Sequence, residues 1–292
     1  MAHLNKKEMI QIIPILGALA LATGTVLERF ILKKKKIGIK FYQTASFFII
    51  SLVTIPFLFF FWKLSANAFE LKYFLIFALI IASSITANLF VFYSLKGEKV
   101  TNLEPARILE PMFTILLALV FSFFVQGFYE QNIKILIPAV IASLALIFPF
   151  LKKEHFRINK YFISAILGSF FFGLELILSR LILDFYSPIT FYFLRSLSIF
   201  LFSLIVFHPK MQILDKKTSS AIIATGAIWV IYRVAVYFGY LNYGVIFTTL
   251  IIMLGPMFVY ILANKFLKEK LNWRNIVSSI IIIGCVIYAT IS

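Results

Sequence analysis

The 292-residue sequence contains a single cysteine, Cys285, so no disulfide bond can form within the chain. Its three histidines, His3, His155 and His208, lie at the amino terminus or in predicted loops. The sequence shows no spacing of histidine, cysteine and acidic residues typical of a metal site, and no nucleophile motif. We therefore expect no metal, no cofactor and no enzymatic activity.

Charged residues are scarce as well, at 14% of the sequence, and only 12 acidic residues stand against 28 Lys and Arg. Hydrophobic residues make up 62%, 35 residues are Phe, and the mean hydropathy is +0.98. This composition excludes a soluble domain. The net charge of +16 would suggest nucleic-acid binding in a soluble chain. Here loops that face an anionic membrane leaflet account for it, and we expect no nucleic-acid partner.

Long apolar runs fill the sequence, and each is long enough to cross roughly 30 Å of hydrocarbon as a helix. We count ten: 10–31, 41–62, 71–94, 102–125, 132–151, 161–183, 188–208, 218–241, 245–265 and 273–291. The connections between them are short. The sequence predicts an all-α integral membrane protein with ten transmembrane helices.

The two halves of the chain resemble each other. Residues 109–113 (LEPMF) return 145 positions later as 254–258 (LGPMF), and residues 16–32 align with 167–183 at an offset of 151. Helices one to five therefore correspond to helices six to ten, in units that span 1–155 and 156–292. Because five is odd, the second unit must be inverted in the membrane relative to the first. Inverted repeats of this kind commonly surround a central transport cavity.

The basic residues predict an orientation. Eighteen of the 28 Lys and Arg lie in the loops after the odd-numbered helices, five lie on the other side, and five lie inside the apolar runs. Basic loops stay in the cytoplasm, so both termini are expected outside a cell membrane.

Several charged residues fall inside the predicted spans, where insertion costs about 2.5 to 3.5 kcal/mol for each. They are Glu104, Arg107, Glu110, Glu175, Arg180, Arg195 and Arg233. Such residues must pair with each other or face a wet cavity. Arg180 lies near Asp184, and pairing there explains it without a functional role.

Helix four concentrates these charges, because Glu104, Arg107 and Glu110 recur at every third residue. Arg107 can reach either carboxylate along one flank, and this leaves one acid in surplus. A neutralised helix start would explain Glu104 and Arg107. Glu110 lies deeper, beside Pro111, and is the candidate for substrate binding or coupling.

The repeated prolines predict two kinks that face each other. Pro111 cannot donate a hydrogen bond to the carbonyl of Arg107, and Pro256, beside flexible Gly255, likewise frees the carbonyl of Ile252. Two kinks, only one of which carries an acid, would form an asymmetric central site.

Arg195 and Arg233 supply the opposite charge. Arg233 and Tyr237 lie on one face of helix eight, and Asn88 occupies the matching place in helix three. Together these residues favour either a molecule with an anionic and a cationic end, or a proton-coupled carboxylate opposite an anion site.

This pattern resembles the EamA-type branch of the drug/metabolite transporter superfamily. The resemblance rests on 109–121, on 254–289 with its turn at 267–271 and Gly284, and on Arg195 in helix seven. Lys268 stands where the family's turn usually has Gly. The resemblance implies ten helices around a central cavity, alternating access, and export of metabolites or amino acids, often with protons.

The sequence thus predicts a secondary transporter for a small polar or amphipathic metabolite, with Glu110, Arg195 and Arg233 at its site. The remaining candidates for that site are Glu104, Arg107, Glu175, Asn88 and Tyr237. A membrane scaffold or a lipid-acting membrane protein is the alternative, and a channel is a weaker one. Protons and membrane lipids are the other expected partners, and both a monomer and a homodimer remain open.

Overall fold

The computed structural model describes residues 6–32, 37–98, 100–125, 128, 130, 132–150, 159–210, 212, 214–259, 261 and 273–291. Within these residues the fold is all-helical, and its only extended pairing is an isolated bridge between Leu64 and Tyr186. The helices are α1 (Lys6–Leu32), α2 (Ile39–Phe61), α3 (Leu71–Gly97), α4 (Val100–Arg107), α5 (Leu109–Phe124), α6 (Ile133–Ile147), α7 (Lys160–Ile182), α8 (Pro188–Phe207), α9 (Lys216–Tyr243), α10 (Val245–Ile252) and α11 (Trp273–Ile291).

Eight helical segments of the described chain are long and apolar enough to cross a membrane. The predicted spans 132–151 and 245–265 contain shorter apolar helices, Ile133–Ile147 and Val245–Val259. Large apolar side chains such as Phe59, Phe60 and Phe124 are more than 80% exposed, as is expected of surfaces that face lipid. The all-helical membrane fold is confirmed, whereas the count of ten spans stays a prediction.

Helices of the first half pack against helices of the second half. The most extensive contacts join α3 to α7, α1 to α9 and α2 to α8. Each pair is antiparallel. Gly17 approaches Ala235 whereas Gly24 approaches Ile228. Tyr93 packs on Tyr161 whereas Phe90 packs on Phe171, and Gln43 bonds to Ser203 whereas the carbonyl of Phe61 accepts from Thr190. The core of the molecule therefore lies between the two halves.

Two breaks interrupt helices at matching places. α4 ends at Arg107 and α5 begins at Leu109, so a turn at Ile108 splits the run predicted as helix four. A second turn, at 253–254, follows α10, and residues 255–259 are helical again. Each turn lies two or three residues before a proline that cannot donate a backbone hydrogen bond.

The break at Ile108 corrects one expectation. Arg107 and Glu110 lie on different helices, and no ion pair joins them, because the turn removes the regular spacing that would bring them together. The Oγ of Ser169 on α7 instead donates a hydrogen bond, at 3.0 Å, to the carbonyl of Ala106 at this break.

One face of the molecule carries the connections α2–α3, α5–α6, α7–α8 and α9–α10, which are poor in lysine. We call it the lysine-poor face. Two of its connections are joined directly, since Ser65 N donates to Phe185 O at 2.8 Å and Ser187 N to Lys63 O at 3.2 Å.

Candidate substrate-binding site

A buried carboxylate joins three helices at the centre of the molecule. Glu175 on α7 has no exposed surface, and its Oε1 lies 3.2 Å from Arg195 Nε on α8. Its Oε2 lies 3.2 Å from Arg233 Nη1 on α9. The hydroxyl of Tyr237 donates to Oε1 at 3.1 Å, and Ser179 Oγ lies 3.0 Å from the same oxygen. We call these five residues the Glu175 cluster.

Further contacts hold the two guanidinium groups of the cluster. Arg195 Nε and Nη2 both donate to Ser84 Oγ on α3, at 3.0 and 2.8 Å. The guanidinium of Arg233 lies 5.5 and 5.4 Å from the ring centres of Phe172 and Tyr232, within the range of cation–π attraction. These contacts hold both guanidinium groups in place between α3, α7 and α9.

Arg233 Nη1 and Glu175 Oε2 are close enough to form an ion pair, but the N–H group does not point at the oxygen and no hydrogen bond forms. Neither atom has a hydrogen-bond partner among the described residues. The Arg233 guanidinium therefore keeps hydrogen-bonding capacity that a solute or a water molecule could use.

A central cavity of about 70 Å³ lies beside the Glu175 cluster. Since one water molecule needs roughly 10–15 Å³ of such space, the cavity has room for several. Its polar and aromatic lining comprises Glu28, Ser46, Phe47, Asn88, Phe92, Arg107, Glu110, Phe172, Tyr192, Arg195, Trp229, Tyr232 and Arg233. Charges of both signs thus face one small, wettable space.

Three charges in this cavity form no ion pair with any other residue that the structure describes. Glu28, Arg107 and Glu110 have no oppositely charged partner within 4.0 Å among the described residues. Glu28 is 7% exposed, and its Oε1 accepts a hydrogen bond from Tyr42 at 3.3 Å. These three groups, rather than the paired arginines alone, are available to a solute.

Glu28 is the site residue that sequence reasoning missed. It lies inside the first apolar run, 10–31, three residues before the end of that run, and was not among the candidates named from the sequence. The signal was present, because Glu28 satisfied the same rule that singled out the other buried charges: an acid within a predicted span.

The other predicted site residues are distributed as follows. Asn88 lines the cavity and donates to the carbonyl of Ser84 at 2.7 Å, and Pro111 lines a smaller neighbouring cavity. Gly255 follows the second break and packs against Leu21 of α1. The side chain of Glu104 lies outside the described part of the structure.

Arg180 does not join the site. It pairs with Asp184 at 2.8 Å, and both side chains are partly exposed to solvent. Its position agrees with the pairing inferred from their spacing of four residues.

Comparisons with known proteins agree with the fold. A protein of known crystal structure is similar over 98% of this chain and 96% of its own, with a TM-score of 0.70 and 16% sequence identity. At that identity the likeness shows the fold alone. No curated protein matches the sequence.

Residues 159–291 match the EamA-like transporter family, as the motifs of the second half predicted. The family consists of membrane transporters rather than enzymes, and a transporter implies a small-molecule substrate. The match begins at the residue before α7 and includes the Glu175 cluster. With eight apolar helices of membrane-spanning length in its described part, the chain is an integral, multi-pass membrane protein whose residues 159–291 are similar to the EamA-like transporter family.

Proposed function

We propose that this protein is a secondary transporter that moves a small zwitterionic solute, such as an amino acid, by alternating access. The observation that carries this proposal is the distribution of charge around the central cavity. In the Glu175 cluster, two guanidinium groups stand against one carboxylate and leave one formal positive charge. Glu28 and Glu110 stand against Arg107 and leave one formal negative charge.

A zwitterion matches this arrangement. Its carboxylate would face Arg233, and its amine would face Glu110 or Glu28. Each buried charge would then gain a partner, which lowers the cost of holding it away from water. Tyr192, Trp229 and Tyr232 supply apolar surface for the rest of the solute.

The size of the cavity supports alternating access rather than an open pore. At about 70 Å³ it holds only a few water molecules, so a solute of amino-acid size requires the helices to separate. In the proposed cycle, which opens and closes around the site, this small cavity corresponds to a contracted state.

We further propose that the architecture is ten helices in two inverted repeats, 1–155 and 156–292. The contacts support a two-fold relation, because exchanging the two halves converts the α1–α9 pair into the α7–α3 pair. The breaks at Ile108 and Met253 also differ by 145 positions, the offset of the repeated Pro-Met-Phe segments.

Coupling and orientation complete the proposal. Glu110 is the proposed proton-coupling carboxylate, the direction is export across the cell membrane, and both termini are outside. Membrane lipids surround the protein, which acts as a monomer or a homodimer. Normal rate and pH dependence of transport by Glu110→Gln in proteoliposomes would contradict the coupling role. Protection of an amino-terminal tag in intact cells would contradict the orientation.

The test of the substrate class is a thermal-shift screen of the purified protein, since a solute that binds only the folded state raises its unfolding temperature. We expect stabilisation by one or more free amino acids. The same amino acids as amides, or with an acetylated amine, should stabilise much less, because each lacks one charge. Equal stabilisation by the singly charged analogues would exclude zwitterion recognition.

A non-transporting membrane scaffold is the second candidate. The Glu175 cluster favours it, because a closed set of ion pairs could serve packing alone. A scaffold predicts that no sugar, nucleotide, amino acid or cationic drug stabilises the protein, and that proteoliposomes accumulate none of them.

A further inference from the structure

Three cavities follow one another from the central site to the lysine-poor face. The central cavity shares Glu110 and Tyr232 with a cavity of about 20 Å³ between α5, α9 and α10. That small cavity shares Tyr240 with a third one of about 370 Å³, the outer pocket, which includes Glu130 and Arg180. The cavities mark a path whose narrowest part is the small one.

Tyr240 and Thr249 close this narrow part. The Tyr240 side chain is 2% exposed, and its hydroxyl lies 3.5 Å from Thr249 Oγ1, so that α9 and α10 touch across the path. A Cβ added at Gly239 would lie 2.4 Å from Thr248 Cγ2, which shows how closely the two helices approach. The barrier therefore depends on the position of α10.

Glu130 holds the amino-terminal end of α10. It lies in the connection between α5 and α6, and its carboxylate accepts hydrogen bonds from the N–H groups of Val245, at 2.5 Å, and Ile246, at 3.1 Å. The first N–H groups of a helix have no partner within the helix, so the carboxylate satisfies two of them and also complements the helix dipole.

Gly244 makes this approach possible. Its φ of +83° lies in a region that favours glycine, and a Cβ there would come within 2.8 Å of Glu130 Oε1. The local backbone and the carboxylate therefore fit each other, across a sequence distance of more than one hundred residues.

We propose that Glu130 is a positioning residue for transport, which keeps α10 seated against α9 so that Tyr240 and Thr249 close the path to the lysine-poor face. The proposal rests on the transport function proposed above. Opening of this face requires α10 to move, and with it the release of both hydrogen bonds to Glu130. A carboxylate in the α5–α6 connection thus controls access to the central cavity, although Val245 and Ile246, the residues it bonds in α10, do not line that cavity.

The test measures access to the central cavity and needs no solute. A reporter cysteine replaces Ser46, which is buried and lines that cavity, in a Cys285→Ser background. A charged, membrane-impermeant thiol reagent is added to one face of oriented vesicles at a time. We expect slow labelling from the lysine-poor face in the parent protein. Glu130→Gln should accelerate it about tenfold, because the amide keeps only one acceptor oxygen, and the loss of one of the two hydrogen bonds to α10 shifts the equilibrium toward the open state.

Three further variants complete this experiment. Tyr240→Ala removes the barrier and should also accelerate labelling, whereas Asp184→Asn removes a carboxylate at the same face without touching α10 and should not. Val245→Pro removes one N–H donor at the first helical position, where proline is tolerated. It therefore breaks one of the two hydrogen bonds while leaving the Glu130 side chain unchanged. We expect it to act in the same direction as Glu130→Gln.

The outcomes are separable. Unchanged labelling in both Glu130→Gln and Val245→Pro, with acceleration in Tyr240→Ala, would overturn the role of Glu130. Unchanged labelling in Tyr240→Ala would show that the path is wrongly assigned. If no solute stabilises the protein but the labelling pattern holds, the transport function fails and the closure of the path by Glu130 stands.

Discussion

Arg195 Nε lies 3.2 Å from Oε1 of Glu175, and both side chains are at least 98% buried. Their helices, α8 and α7, are adjacent in the chain, but the pair is completed by Arg233 from α9. Removing one member of a buried ion pair leaves uncompensated charge, which costs far more than removing an exposed pair. The Glu175 cluster is therefore expected to control stability, while the unpaired charges of the cavity control binding.

We predict that Glu175→Gln strongly destabilises the protein, because two guanidinium groups would remain buried without a carboxylate. The expected loss is about 3–5 kcal/mol. Thermal unfolding in detergent and the yield of monodisperse protein measure it. Asp184→Asn, which breaks the exposed pair with Arg180, is the control and should cost about 1 kcal/mol or less. Equal losses in the two variants would contradict the assignment.

Glu110→Gln is expected to fold normally, because no ion pair among the described residues depends on Glu110. We expect it to weaken binding of a zwitterionic solute by about tenfold or more, since a charge-assisted hydrogen bond contributes about 1.5–3 kcal/mol. The concentration dependence of the thermal shift measures this. Unchanged affinity would remove Glu110 from the site.

Gly168→Ala should separate α3 from α7. A Cβ at Gly168 would lie 2.7 Å from Val91 Cγ2 and 3.2 Å from the Ala87 carbonyl, so the helices must move apart. Overpacking of this kind costs about 1–3 kcal/mol. Gly284→Ala is the matched control, because no atom lies within 4 Å of its added Cβ. It should be neutral or slightly stabilising, since alanine favours a helix more than glycine does.

The surroundings of Glu130 predict that the stability of the folded protein depends on pH. Burial raises the pKa of its carboxyl above the usual value of 4.5, although the N–H groups of Val245 and Ile246 and the charge of Arg180 act in the opposite direction. The folded state therefore binds the proton more tightly than the unfolded state. The resulting stabilisation is complete below the ordinary pKa of glutamate and is lost as the pH rises through the raised pKa.

We expect the unfolding temperature of the parent protein, relative to that of Glu130→Gln, to fall as the pH rises from below 4.5 toward neutrality. Thermal scans of both proteins across this range measure the difference. Asp184→Asn, which removes a different carboxylate at the same face, is the control for effects unrelated to Glu130. A difference that grows with pH would mean that the hydrogen bonds of the carboxylate outweigh its burial.

The sequence predicted some of the charged residues of the site but not how they pair. Glu175, Arg195 and Arg233 were recognised as buried charges, because an apolar run makes any charge conspicuous. Their mutual pairing was not predictable, since it depends on how α7, α8 and α9 are rotated about their axes. The expected pair of Arg107 with a neighbouring acid fails for Glu110, because the turn at Ile108 intervenes.

Glu28 and Glu130 show two different limits of what the sequence can predict about the site. Glu28 was visible as an acid in an apolar run but was not named as a candidate, and only the fold places it beside the cavity. Glu130 gave no such signal, because it lies in a connection where a glutamate is unremarkable. Its hydrogen bonds reach α10, 115 positions away along the chain, and only the folded chain brings them together.

The sequence by itself determined that the chain lies in a lipid bilayer, that its fold is all-helical and that its two halves share a repeated pattern. Lipid cannot satisfy backbone hydrogen bonds, so apolar runs of this length are restricted to helices, and the repeated prolines Pro111 and Pro256 mark the two places where a turn interrupts them. Only the tertiary structure decided which charges neutralise each other and which, among the side chains it describes, line the cavity without an ion pair. Pairing requires side-chain atoms within about 4 Å, a distance set by helix rotation and packing rather than by spacing along one helix.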